Sequence, residues 1–212
     1  MAEKNLDFDT VIARTHTNSL KYDFAVQRGK PKDVLPLWVA DMDFQVSSYI
    51  QEALFGSVAH GIFGYSEAEG SYFEAVAGWM SRHYGWNVEE TWLVKTPGIV
   101  FALAQAVRAF TEPGDSVLLQ QPVYYPFSQV IRDNGRKIVD NTLVQGEDGR
   151  YRINFTDFEE KIRSCKVKLF FLCNPHNPVG RVWTKEELLR LGDICEKYGV
   201  IVVSDEIHAD FV

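Results

Sequence analysis

From Thr91 onward, short apolar runs alternate with longer amphipathic stretches across turns, and this βα rhythm restricts the fold more than any other feature of the sequence. The runs predict strands over 92–95, 116–121, 137–143, 167–173 and 200–204. Several are apolar on both faces, as parallel strands covered by helices on either side must be. The best-marked helix is 185–198. There Thr184 and Glu187 have capping-box spacing, Leu188, Leu191, Ile194, Cys195 and Tyr198 form one apolar stripe, and Gly199 supplies a stop. Thr156 and Glu159 repeat the capping-box spacing for a shorter helix. Segments 46–59 and 71–84 also read as helical, the second because Tyr72, Val76, Trp79, Met80 and His83 share a face. Pro31 and Pro36 make the start an extended arm. The expected fold class is α/β, with a large domain over 46–212 whose mostly parallel sheet is flanked by helices, preceded by an N-terminal arm over 1–45. Strand 200–204 runs into Phe211 and Val212 with no closing helix or cap, so the sheet is expected to be incomplete.

Charge excludes one class of partner. With 22 Lys+Arg against 29 Asp+Glu the net charge is -7, and there is no basic cluster, so the chain lacks the footprint of a nucleic-acid binder. The longest apolar run, 99–104, is too short to span a bilayer, and the opening MAEKNLDFDT lacks the layout of a signal peptide, which predicts a cytoplasmic protein without membrane contact. Cys165, Cys173 and Cys195 have no C-x-x-C spacing and read as buried free thiols.

Four segments fall at the carboxyl ends of predicted strands, the edge where open α/β sheets take their ligands. Thr96-Pro97-Gly98-Ile99-Val100 opens a helix over 99–110 that is apolar nearly all round; its free N–H groups would form an anion site, and a plain strand-to-helix turn is the alternative. Both G-x-G-x-x-G and the P-loop pattern are missing. Gln121-Pro122-Val123-Tyr124-Tyr125-Pro126 puts two tyrosines at the same edge, able to stack on a planar ligand or simply to rim a proline turn. Asn174-Pro175-His176-Asn177-Pro178 carries two rigid Asn-Pro steps, open to a cis bond, that can aim an amide into a cleft. Asp205 follows four β-branched residues, where burying its charge requires a cationic partner. A metal bound by Asp205, Glu206 and His208 is disfavoured, because neighbours on an extended segment point opposite ways.

Together these motifs resemble the pyridoxal-phosphate (PLP) enzymes of the aminotransferase superfamily, fold type I, and more narrowly the MalY/PatB cystathionine β-lyase (C–S lyase) group. The resemblance covers the whole chain, through LPLWVADMDF at 35–44, HGIFGYSE at 60–67, TPGIVFAL at 96–103, FTEPGDSVLLQQPVYYPF at 110–127, LCNPHNPVGRVWT at 172–184 and VVSDEIHADF at 202–211. It implies that Asp205 pairs with the protonated pyridine nitrogen that makes PLP an electron sink. It likewise implies that Tyr124 stacks on the ring, Asn177 bonds the ring hydroxyl oxygen, and Gly98, Ile99 and Val100 offer backbone to the phosphate. Tyr65 resembles the tyrosine that reaches the phosphate of a neighbouring subunit, which implies a homodimer with shared active sites. His208 stands where many aminotransferases carry tyrosine, in keeping with the lyase branch, and Trp38 and Ala40 would line the side that receives a small amino-acid substrate. The Ser-x-x-Lys segment whose lysine holds PLP as a Schiff base lies, by the resemblance, beyond Val212. Lys185 begins a capped helix, Lys166 and Lys168 flank a strand, and Lys95 sits at a strand end out of context. The resemblance thus implies the N-terminal part of a C–S β-lyase, cut before the small C-terminal domain, with a class I/II aminotransferase as the nearest alternative and a non-catalytic binding or dimerising module as the rival from another class.

Overall fold

The structure, a computed structural model, describes residues 7–212, which form two compact units, one up to Glu74 and one from Ala75. The first unit holds a 3-10 turn at Val26–Arg28 and helix α1, Ser48–His60. Its early part is not simply extended. The Asp23 carboxylate accepts the backbone N–H groups of His16, Thr17 and Ser19, which curls the chain into turns before the prolines are reached. Segment 41–43 is held tightly: Arg14 bonds Asp41 and Asp43 at 2.5 Å each, while the buried Lys21 ammonium donates to the Asp41 carbonyl at 2.9 Å and to Asp43 at 3.2 Å. Burial pushes Asp43 upward, but hydrogen bonds from Lys21 and Tyr22 and the nearby cations outweigh it and hold the carboxyl below its ordinary range.

Helix α2, Gly70–Tyr84, leads into the second unit. Then follow α3 (Ile99–Phe110), β1 (Ser116–Leu119), α4 (Pro126–Asp133), β2 (Lys137–Asp140), β3 (Val144–Gln145), β4 (Tyr151–Arg152), α5 (Phe155–Cys165), β5 (Val167–Cys173), α6 (Lys185–Tyr198) and β6 (Ile201–Asp205). The main sheet is parallel throughout, in the order β2-β1-β5-β6, and β3-β4 is a separate antiparallel hairpin. Period-2 alternation along the strands sorts the core into two layers. Leu118, Phe170 and Leu172 meet Phe158, Ile162, Leu191 and Cys195 of α5 and α6 on one face. Val117, Leu119, Leu169 and Phe171 meet Leu103, Val107, Phe127 and Ile131 of α3 and α4 on the other. The two-faced burial anticipated from the apolar runs is therefore present.

Three local expectations change. Residues 92–95 form no strand: Glu90–Trp92 is a 3-10 turn, and Leu93, although extended, has no ladder partner among the described residues, without which an extended segment is not a strand. The cap of α5 is Asn154, not Thr156; the Asn154 side chain accepts the Asp157 N–H at 3.1 Å, so the helix starts two residues earlier than capping-box spacing indicated. The α6 box forms as expected, with Thr184 and Glu187 bonded reciprocally at 3.2 and 2.9 Å. Finally, Cys165 closes α5 and is exposed, whereas Cys173 and Cys195 are buried. Burial pushes the Cys173 thiol up to about 11 and the Cys195 thiol up to about 12. Alkylation of native protein at pH 8 should therefore modify Cys165 quickly and leave the other two intact until denaturant is added, a result read by peptide mass mapping. Rapid labelling of Cys195 would contradict its packing against the sheet.

Candidate functional site

The carboxyl-terminal edge of the parallel sheet gathers the ends of β1, β5 and β6. After β1, the chain turns through a cis Gln121-Pro122 bond, and Pro126 starts α4 at its first turn, where a proline costs no helix hydrogen bond. Tyr124 and Tyr125 are thereby stranded on the loop between, their rings 5.4 Å apart, with Tyr124 40% exposed. After β5, both Asn174-Pro175 and Asn177-Pro178 are cis. The Asn174 side chain is consumed locally, accepting the Trp183 N–H at 3.1 Å, and its own N–H donates to the Asp205 carbonyl at 3.0 Å. The Asn177 side-chain amide makes no hydrogen bond among the described residues, while its carbonyl accepts the Tyr124 N–H at 3.0 Å. This backbone hydrogen bond joins the tyrosine loop directly to the asparagine loop.

Asp205 ends β6 opposite Cys173 of β5 and is only 8% exposed. Burial pushes its carboxyl above the ordinary range; the Ile207 N–H, which donates to Oδ1 at 3.2 Å, and the His208 charge work against that rise, and the Glu206 charge adds to it. No ion pair to Asp205 is formed among the described residues, so the cationic partner that a buried carboxylate requires is not supplied by them. His208 caps the 3-10 turn Ala209–Phe211, whose Asp210 is bonded by Trp79 and Tyr84 of α2.

Gly98 precedes α3 with φ 138°, a conformation that favours glycine, and the first turn of that helix, at Ile99 and Val100, is exposed. Its leading N–H groups have no intrahelical acceptor, which makes the turn able to receive an anion. α3 packs on β5 and β6 through Leu103 and Val107. A flat group with a cationic end for Asp205, an anionic end for the α3 turn, a face for Tyr124 and an acceptor for Asn177 suits this set of donors and acceptors.

Trp38, Ala40 and Tyr65 belong to the first unit. Trp38 lies under the Lys30 ammonium, which is 5.6 Å from its ring centre; Ala40 is exposed beside the held 41–43 segment; Tyr65 is fully exposed between α1 and α2. The sequence gives little sign of the buried wall behind the edge, formed by Gln120, Cys173, His176 and Trp183. Only the position of His176 between two prolines hinted at it.

The family model described as aminotransferase class I and II matches residues 33–212. Cystathionine beta-lyase PatB of Bacillus subtilis is 48% identical over 207 residues, covering 98% of this chain and 53% of that protein. Cystalysin of Treponema denticola, a crystal structure that contains a pyridoxal 5'-phosphate cofactor, superposes with a TM-score of 0.89 at 38% identity, over 97% of this chain and 52% of that one. The PLP-bound C–S lyase of Staphylococcus hominis gives a TM-score of 0.89 at 35% identity over the same shares, 97% and 52%. The chain spans about half the length of these relatives.

Proposed function

Because the chain belongs to the class I and II aminotransferase family, we propose that it is the N-terminal part of a PLP-dependent C–S β-lyase that converts cystathionine or a related cysteine S-conjugate to a thiol, pyruvate and ammonia. The observation that carries this is the Asp205 carboxylate, buried at a sheet edge without a cationic partner among the described residues. The name of the PatB relative, that of the Staphylococcus hominis C–S lyase and the cofactor bound in that structure and in cystalysin support the same chemistry.

When bound, PLP supplies an electron sink for the pair left at the substrate Cα. In this proposal Asp205 keeps the ring nitrogen protonated, and its burial strengthens that charge pair by excluding water. Tyr124 covers one ring face, the Asn177 amide donates to the ring oxygen, and the N–H groups of Ile99 and Val100, freed by the turn at Gly98, hold the phosphate. His208, beside Asp205, tempers the carboxyl by its charge. Trp38 and Ala40 line the substrate side, and Tyr65 reaches the phosphate of a second copy, so the enzyme is a homodimer built from a 1–45 arm and a large domain from residue 46. The proton-abstracting lysine lies in the remaining part of the protein. As part of this reading, the enzyme, with a net charge of -7 over this chain, is assigned to the cytoplasm. No helix among the described residues is long and apolar enough to cross a membrane.

Full-length protein loaded with PLP should release pyruvate and ammonia from cystathionine with no added keto acid, as followed by coupled lactate dehydrogenase. A strict requirement for a second keto acid would assign the site to transamination instead. Failure to bind PLP would refute the cofactor assignment.

A further inference from the structure

We infer that His176 is a positioning residue, a buried imidazole that fastens the loop bearing Asn177 to the loop bearing Tyr124; the inference deepens the PLP reading above and rests on it. Its backbone closes its own loop, with its N–H donating to the Arg181 carbonyl at 2.7 Å and its carbonyl accepting the Gly180 N–H at 2.9 Å. The side chain leaves that loop. Nε2 lies 3.1 Å from the Pro122 carbonyl oxygen, which can only accept, so Nε2 carries the proton. The Tyr124 N–H to Asn177 carbonyl bond, 3.0 Å long, joins the same two loops two residues beyond Pro122 and one beyond His176. Two cross-loop bonds thus hold the segment between them, and both proposed ring contacts sit on that held segment.

The imidazole is 1% exposed and Nδ1 has no hydrogen-bond partner among the described residues. An apolar side chain of similar volume would avoid the cost of burying that nitrogen. What histidine contributes and leucine cannot is the N–H to Pro122. Trp183 fixes the ring from behind, edge-on at 5.5 Å, with its own indole N–H donating to the Cys173 carbonyl at 3.0 Å. Burial also pushes the His176 pKa down, which keeps the ring in the neutral form that this geometry needs. Loop positions set in this way are paid for on folding and not again when a ligand binds.

The test compares His176→Leu with His176→Gln in the full-length protein, reading PLP affinity and the visible circular dichroism of bound PLP at saturation. Leu should weaken PLP about tenfold, the size expected for one lost positioning hydrogen bond, and alter the dichroic band. Gln, whose amide N–H reaches as far as Nε2, should restore both. In a Tyr124→Ala background the Leu change should add less than its full loss, because one of the two contacts it positions is already gone. If the Leu variant does not fold, His176→Asn carries the same comparison, being polar but too short to reach Pro122. Wild-type affinity and dichroism in the Leu or Asn variant would overturn the inference, as would a Gln variant as impaired as Leu. A wild-type protein that binds no PLP would overturn the parent reading, and this one with it.

Discussion

Asp205→Asn in the full-length protein is expected to lower lyase turnover at least about 100-fold, the scale seen when one preorganised electrostatic partner is removed, while making the cofactor-free protein more stable at neutral pH. Both effects have one cause. Asn preserves the shape and can still accept the Ile207 N–H, but carries no charge to hold a ring proton. The stability change follows from the direction of the Asp205 shift. Its folded pKa is raised by burial, so the folded state binds its proton more tightly than the unfolded chain does. Stability is therefore lost as pH rises from the unfolded value of about 3.9 through the raised folded value. The Asn variant has no such loss. Melting curves with and without PLP at pH 5 and pH 7, beside turnover measurements, read both effects. Near-normal turnover, or an apo variant less stable than wild type at pH 7, would remove Asp205 from the role given to it.

Phe170→Ala should be the most damaging core substitution, costing about 3–5 kcal/mol. The ring is fully buried at the middle of β5, edge-on to Phe158 at 5.0 Å, within the layer formed with Leu118, Ile162 and Leu191. Such a loss approaches the whole stability of a typical domain, about 5–15 kcal/mol. It would also release the end of β5, from which the Asn174 to Gly180 loop hangs. Leu189→Ala, at an exposed position on α6, should change stability by no more than about 0.5 kcal/mol. Urea titration distinguishes the two, and a Phe170→Ala change below about 1 kcal/mol would mean that the layer is not packed as described.

The parts of the fold that could be read from sequence are those fixed by local chemistry. α6 and β5 came out with their full bounds because a capping box, an apolar stripe and a run apolar on both faces act over a few residues. α4 was passed over although Pro126 marks its start, since eight residues give too little periodicity between two proline-rich turns. The 144–152 hairpin was missed too, its strands being two residues each around a Gly146 to Gly149 turn. Segment 92–95 failed for the opposite reason: its apolar pattern was clear, but pairing depends on a neighbour that sequence cannot place. At the site, Tyr124, Asn177 and Asp205 were visible as unusual residues at strand ends. His176 was not, because its contact is with a carbonyl 54 positions away.

The strand order carries a consequence for biogenesis. β1 and β2 pair across a single helix, but the next partner of β1 is β5, on the order of 50 residues later. At roughly 5–20 residues per second, synthesis leaves β1 with one flank bare for roughly 3–10 s. Closing a loop of that length costs about 3.5 kcal/mol in chain entropy before any contact offsets it. Through that interval the nascent chain presents the unpaired edge of β1, and Leu118, whose layer waits for α5 and α6, to whatever waits at the ribosome exit. The site, which needs β5 and β6 together, comes into being only after that exposure has ended.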